Sequence, residues 1–579
     1  GSGVLFSSAR IDSAESSIFP TTRLGELYQV ATDGGTPRMI STIPGSEARY
    51  SPNGEQLLYR DEKAYESNLR KHDNSAFARD IWSHELSTDK HRQLTQFSGG
   101  DHTPLWADSN TLYFLSEQGN NNFNVWKMDV SGKKKKQITK FTNHPVRSLS
   151  MSDNNTLAFI HHGSIYLQRN KKLERLSIQI ASDSHANDYV TLALDGKVTE
   201  FSVSPNGKEV VFVARGEVFV TSSDFNTTRQ ITNTPEAERS VSFHKDGRTL
   251  LYTSERENRW QLFEASIADK GEKYFFSSTK VIEKSLHSAD SESFQPLYSP
   301  DGKKVAFLSG RDEIQVINRK TRKTNVALGK QHNYSYADGD ITFSWSADSN
   351  WLSADYAPRK RLFITNIGVF PADGSAEPVD ISHSGYQDSS PFWHKNGDAV
   401  LWHSSRYGER SHGSWGREFD VIASFMTQDS YDKFTMSKEE YQLAQELKEE
   451  KEKQQDTDDK KTAKKDDSKD SKKDDSEAVK PLKIEWANLN DRTVRLTKHS
   501  SDLGDAVITQ DSGKLYYLAR FEKGYDLWAE DFREGTTKLV AKLNAKSANI
   551  RLSEDDKKIF ILADGVIKKA DIADKITFK

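Results

Sequence analysis

The chain has 579 residues, no cysteine, and 81 basic against 85 acidic side chains, a net charge of -4. Absent cysteine excludes disulfides, zinc–thiolate sites and a cysteine nucleophile, and the near-neutral balance leaves no electrostatic footprint for nucleic acid. No apolar run approaches the length of a membrane-spanning helix, and the length calls for two or more domains.

In chain order, one unit recurs. An apolar stretch leads to a tight turn, a second strand follows, a third strand carries an aromatic, and a fourth closes on Gln-Leu-Thr or a variant. The turns are Ser51-Pro52-Asn53-Gly54, Ala107-Asp108-Ser109-Asn110, Ser152-Asp153-Asn154-Asn155, Ser204-Pro205-Asn206-Gly207 and His244-Lys245-Asp246-Gly247. They continue through Ser299-Pro300-Asp301-Gly302, Ser346-Ala347-Asp348-Ser349, His394-Lys395-Asn396-Gly397, Gln510-Asp511-Ser512-Gly513 and Ser553-Glu554-Asp555-Asp556. Proline presets φ, Asp or Asn bonds its own backbone, and Gly accepts positive φ. Second strands read Gln56-Leu57-Leu58-Tyr59 or Val210-Val211-Phe212-Val213. Third strands read Asp80-Ile81-Trp82, Asn124-Val125-Trp126 or Asp526-Leu527-Trp528. Fourth strands end on Leu94-Thr95, Ile138-Thr139, Ile231-Thr232 and Leu496-Thr497.

Four short strands at a spacing of roughly 40–56 residues predict the blades of a β-propeller. The fold class expected is all-β, two consecutive propellers. Residues 1–181 are expected to form an incomplete first ring of about four blades, and residues 182–579 a seven-bladed second ring. The chain is expected to start inside a blade. One gap, from Asn396 to Ser512, is longer than the rest. It holds a Lys/Glu/Asp-rich run at residues 437–480 that cannot bury enough apolar surface to offset ordering, so it is expected to be a disordered insertion within a blade. The strand Leu482–Trp486 is expected to resume that blade.

Candidate chemistry is sparse. There is no Gly-x-Ser-x-Gly elbow and no His-Glu-x-x-His, so no catalytic residue, no metal ligand and no cofactor is expected. His161 and His162 are neighbours on a strand and face opposite ways, and His383 and His403 stand alone. Two sets of side chains are candidates for holding peptide. One is the basic stretch with Arg359 and Arg361 on one face, suited to a carboxylate. The other is the hydrogen-bond-rich loop with Arg406, Tyr407, His412 and Trp415. Trp82, Trp126 and Trp528 recur at equivalent repeat positions, which predicts packing between blades.

The repeats resemble those of TolB-type and tricorn-type propellers. The stretch Phe6-Ser7-Ser8-Ala9-Arg10-Ile11-Asp12-Ser13-Ala14 and the run from Trp393-His394-Lys395-Asn396-Gly397 to Ser404-Ser405-Arg406-Tyr407-Gly408 are similar to the N-terminal half of bacterial tricorn protease homologues. That resemblance implies a six-bladed ring, a seven-bladed ring, and then PDZ and serine-protease domains beyond this chain. On it, the propellers gate peptide access, the partners are peptide substrates and those protease domains, the protein is a homo-oligomer, and the compartment is cytoplasmic, with the periplasm as the alternative. Nucleic acid and membrane are not expected partners. The competing reading is a TolB-like module that docks a protein or peptide. A third is the propeller of a prolyl-oligopeptidase-type enzyme whose hydrolase domain lies elsewhere.

Overall fold

The computed structural model describes residues 2–10, 24–41, 43–63, 78–179, 192–335, 339, 341–358, 364–410, 417–448, 450, 481–573 and 575–578. The positions 359–363 and 411–416, with the candidates Arg359, Arg361, His412 and Trp415, and most of the charged run (449 and 451–480) lie outside the described residues. The chain divides into two compact units, Gly1–Val190 with Glu257–Arg259, and Thr191–Arg256 with Trp260–Lys579. Both are β-propeller units built from antiparallel sheets, nearly all four-stranded and wound in simple chain order. Among the described residues no helix is long and apolar enough to cross a membrane.

Numbered in chain order, sheets 1 to 4 belong to the first unit, with first strands Gly3–Ser8, Gly45–Tyr50, Asp101–Asp108 and Val146–Met151. Sheets 5 to 11 belong to the second, with first strands Val198–Val203, Glu238–Phe243, Ser293–Tyr298, Phe343–Trp345, Asp388–Trp393, Asp502–Ile508 and Ala548–Leu552.

The turn that punctuates the sequence is a small hydrogen-bond device. In sheet 5, Ser204 Oγ donates to Asn206 Oδ1 (2.9 Å) and accepts from the Glu209 amide (2.9 Å). The same pair of bonds recurs at Ser299 with Asp301 and Lys304, and at Ser553 with Asp555 and Lys558. The fourth turn residue is left-handed, at φ 65° for Gly207 and 70° for Gly302. In sheet 10 the register differs by one from the sequence expectation. Thr509 takes the serine role, bonding Asp511 and the Lys514 amide, and Ser512 takes the glycine place at φ 56°.

The closing Leu-Thr also has a chemical reason. Its hydroxyl accepts from an amide in the third strand and donates to the acid or amide one residue earlier. Thr139 Oγ1 receives the Val125 amide (2.8 Å) and donates to Asn124 Oδ1 (2.9 Å). Thr232 serves Val218 and Glu217, and Thr497 serves Val421 and Asp420. Each of these blades thereby ties its fourth strand to its third with an otherwise orphaned buried group satisfied.

Apolar side chains from facing sheets interdigitate into one core cluster per junction. Val211 and Val213 meet Leu250 and Tyr252 between sheets 5 and 6, and Leu251 and Leu262 meet Val305 and Phe307 between sheets 6 and 7. The series continues through sheets 7–8, 8–9, 9–10 and 10–11. It then returns to its start: Phe560 and Leu562 of sheet 11 pack on Phe201, Val210 and Phe212 of sheet 5. The recurrent tryptophans sit in such junctions, Trp82 beside Leu57 and Tyr59, Trp126 beside Phe114 and Trp528 beside Tyr517.

At the returning seam, the Val198 amide bonds Gly565 O (3.2 Å) and Lys569 reaches Asp224 (2.9 Å). Gly565 has φ 76°, and a Cβ there would lie 2.4 Å from the Gly196 carbonyl carbon, so only glycine fits.

Sheet 9 departs from the sequence expectation. Its fourth strand, Thr493–Arg495, leads into Leu496-Thr497 as expected, but Leu482–Trp486 is not a strand. The latter segment lies outside any ladder: the Glu485 amide bonds Met426 O (2.9 Å), the Leu482 amide bonds Asp348 (2.8 Å), and Leu482 fills the space beside Gly397. Residues 438–448 are helical.

Candidate functional site

The first strands of the second unit share an axis. First strands touch between sheets 5 and 6, 6 and 7, 8 and 9, and 10 and 11, and the first strand of sheet 5 also meets sheet 11. A cavity of about 390 Å³ opens among them, lined from sheet 5 (Glu200, Phe201), sheet 6 (Ser240–Ser242), sheet 7 (Gln295–Leu297), sheet 8 (Phe343) and sheet 11 (Asn549, Arg551). Only the axis of a ring is reached by the opening strands of both its first and its last sheets.

These strands are not regular. Register breaks between Arg239 and Ser242 and between Phe294 and Leu297 mark bulges, with Ser240 at φ 58° and Gln295 at φ 48°. The bulge turns one amide toward the neighbouring blade, where a carboxylate receives it. Glu200 Oε1 accepts the Ser240 amide at 2.6 Å; without a bulge, the Ile550 amide and Arg551 Nη1 likewise reach Asp505 Oδ2, each at 3.0 Å. The first unit repeats the device, Glu47 Oε2 accepting the Thr103 amide at 2.6 Å. Burial pushes the Glu200 carboxyl above its usual range, against the pull of the Ser240 amide and Arg239. The axial acids are thus committed to backbone, Arg551 is committed to Asp505 and Gln295 Nε2 donates to Ile341 O (2.9 Å), so the polar groups left to meet a guest are Ser, Thr and Asn side chains and the Gln295 amide oxygen.

A second cleft, about 450 Å³, lies on the flank of sheet 9 and contains Arg406 and Tyr407. Tyr407 is 51% exposed. The Arg406 and Arg495 guanidinium carbons lie 5.6 and 5.0 Å from its ring centroid, cation–π distances. Arg495 is itself fixed by Asp420 (2.9 Å) and Ser500 (3.1 Å). Gly408 lets the strand leave the sheet, since a Cβ there would meet Glu418 O at 2.2 Å. Of the sequence candidates, then, the fold joins Arg406 and Tyr407, and it adds Arg495, whose place in the closing Arg495-Leu496-Thr497 strand read only as structural.

Asp388, in the same cleft, is fully buried, and burial outweighs the hydroxyls of Ser404, Ser382 and Ser384 to raise its pKa to about 6. That resembles a catalytic acid, but the repeat explains it. The opening position of the first strand faces a serine in sheet after sheet: Asp101 and Ser116, Glu238 and Ser254, Ser293 and Ser309, Asp388 and Ser404. Asp101 is raised further, to about 7, again by burial. His403 is pushed down to about 4 by burial.

One arrangement imitates a catalytic triad. Ser512 Oγ lies 3.2 Å from His394 Nε2, and His394 Nδ1 lies 3.7 Å from Asp398. The Asn396 amide donates to Nδ1 (3.3 Å), so the ring proton is on Nε2, where it faces Thr509 O at 3.2 Å. A base for Ser512 needs a lone pair there. His244, at the same turn position of sheet 6, reaches Gly302 O of the next turn in the same way (3.1 Å). The group is a tie between consecutive turns.

Residues 1–174 match the family described as the tricorn protease N-terminal beta propeller domain. No curated protein matches the chain. Among solved structures, tricorn protease is 13% identical with a TM-score of 0.46, covering 99% of this chain and 56% of that one. The chain therefore spans little more than half the length of that relative. Oligogalacturonate lyase in complex with manganese is 12% identical (TM-score 0.39, 63% of this chain, 84% of that chain). A putative TolB from Agrobacterium tumefaciens is 16% identical (TM-score 0.30, 40% and 78%). The family match covers the first four sheets, so the first unit is similar to the tricorn protease N-terminal beta propeller domain.

Proposed function

We propose that this region is a non-catalytic filter for peptides bound for a serine-protease domain elsewhere in the same polypeptide, with the second unit acting as a seven-bladed ring. The observation that carries the reading is the axial cavity, walled by first strands of five sheets and offering neutral hydrogen-bonding groups. Such a lining fits an extended backbone of any sequence, whereas a folded domain is too wide to enter. The Tyr407 cleft, with Arg406 and Arg495, is a holding point for a peptide carboxylate before entry, and Arg359, Arg361, His412 and Trp415 are further candidates for that role. Peptide substrates, a homo-oligomeric assembly and a cytoplasmic setting follow from the tricorn likeness as parts of this proposal.

The test uses fluorescent unstructured peptides and the full chain. Gln295→Trp, which narrows the axis, is expected to weaken binding about tenfold or more, and the chain alone is expected to hydrolyse nothing. Hydrolysis by the chain alone at the rate of the longer polypeptide overturns the proposal. Peptide binding untouched by Gln295→Trp but lost in Tyr407→Ala favours the docking-module reading, to which the exposed Tyr407 cleft lends support.

A further inference from the structure

The first unit carries a cluster that neither the axis nor the flank uses. Sheet 2 contains the hairpin Ile81–Glu85 to Lys90–Gln93, and its register sets His84 directly opposite His91. Opposed residues share a face with their Cβ atoms about 5 Å apart. The two imidazoles stack, with centroids 4.0 Å apart and planes 13° apart. Asp89, in the connecting turn at φ 54°, folds back over them. Its Oδ1 lies 2.7 Å from His84 Nε2 and 3.8 Å from His91 Nε2. The three potential ligand atoms all fall within 4.8 Å of one another.

Several features set this apart from an ordinary surface ion pair. His84 is almost fully buried, with 3% of its side chain exposed, and its Nδ1 has no hydrogen-bond partner. His91 Nδ1 is held by Tyr59 Oη at 3.0 Å. If that nitrogen donates to the phenol oxygen, the lone pair of His91 is on Nε2, facing Asp89. An outer hydrogen bond of this kind fixes the tautomer and aim of metal-binding histidines. Asp89, with 86% of its side chain exposed, leaves the third side open to solvent.

We infer that His84, Asp89 and His91 form a binding site for a divalent first-row transition ion of the zinc type, with water at the fourth position. A tetrahedral ion with bonds of about 2.0–2.1 Å holds its ligand atoms about 3.3 Å apart, between the two distances to Asp89. Two imidazoles and one carboxylate suit Zn²⁺, Co²⁺, Ni²⁺ or Cu²⁺, whereas Mg²⁺ and Ca²⁺ prefer all-oxygen shells. The ion takes the place of the proton between His84 Nε2 and Asp89 and staples the two outer strands of the sheet. Sequence reading weighed His161, His162, His383 and His403 and passed over this set. Its spacing, His-x4-Asp-x-His, becomes a ligand triad only when a hairpin turn falls at Asp89.

The test titrates the full chain, free of any polyhistidine tag, with Zn²⁺ and with Co²⁺. One ion per chain is expected, with a tetrahedral Co²⁺ absorption spectrum, and Mg²⁺ is expected not to compete. Asp89→Asn, at an exposed turn position that leaves the fold intact, is expected to weaken binding at least tenfold, and His91→Gln further. His162→Gln, at the separate stacked pair His144 and His162, is expected to change nothing. No saturable binding, binding unaltered by Asp89→Asn, binding abolished by His162→Gln, or Mg²⁺ competing as an equal overturns the site.

Discussion

The two units use one blade and differ in whether the row of blades meets itself. Among the described residues, seven sheets of the second unit share seven apolar junctions, the last joining sheet 11 to sheet 5. In the first, four sheets share three, between sheets 1 and 2, 2 and 3, and 3 and 4. Among the described residues no cluster links sheet 4 to sheet 1. Turn chemistry, Leu-Thr ties and bulge locks are the same in both. Blade identity is therefore a local property written in each repeat, whereas closure depends on side chains about 350 residues apart meeting at one seam.

The seam is where the comparison breaks most sharply. Gly565→Val puts a Cβ into the Gly196 backbone and a branched residue at φ 76°. It is expected to cost about 3 kcal/mol or more. Hydrogen exchange should then rise across sheets 5 and 11 and stay unchanged in sheets 1 to 4. Equal loss in both units would mean that closure does not distinguish them.

The next effect is on pH. Asp101 in the first unit and Asp388 in the second are buried, and burial outweighs the nearby serine and threonine hydroxyls to raise their pKa to about 7 and about 6. Each favours the protonated carboxyl in the fold. Its contribution is fully present below the usual carboxylate range and falls as pH rises, to about 7 for Asp101 and about 6 for Asp388. Asp101→Asn is expected to flatten the loss of thermal stability between pH 4 and 7 in the first unit, by on the order of 2–4 kcal/mol at neutral pH. Asp388→Asn should flatten a shorter stretch in the second. Thermal scans across that range, with exchange to assign the unit, read both.

The smallest effect sharpens the likeness of the two axes. Glu200→Ala and Glu47→Ala each remove the acceptor for a bulge amide, a loss of about 1–2 kcal/mol. The Ser240 and Thr103 amides are expected to exchange about tenfold faster in the respective variants. A change confined to Ser240 would show that the lock depends on a closed ring.

Much of the blade was legible because its punctuation is chemical. Ser-Pro-Asp-Gly and Leu-Thr name the atoms that bond, so turns and third strands fell where expected. The sheet 10 turn sits one residue earlier than Gly513 implies because Ser512 takes the left-handed place, and Leu482–Trp486 has the alternation of a strand but its amides bond Asp348 and Met426 O instead of a ladder. The axial lining was not legible: Ser240, Gln295 and Asn549 look like any half-exposed strand residues until a ring turns them inward. Arg406 and Tyr407 stood out as a polar, aromatic loop, but Arg495, which completes the stack, is brought to them by the sheet across a long insertion.

The seam has a mechanical consequence. It is held by one backbone bond, a glycine-to-glycine contact, the Lys569–Asp224 pair and a patch of apolar side chains, not by a strand shared between the end sheets. The polypeptide enters the ring at one lip of this seam and completes its last sheet at the other. A pull along the chain therefore loads the seam like a zipper, separating its contacts in turn rather than all at once. The ring should yield there at low force while its other junctions stay intact.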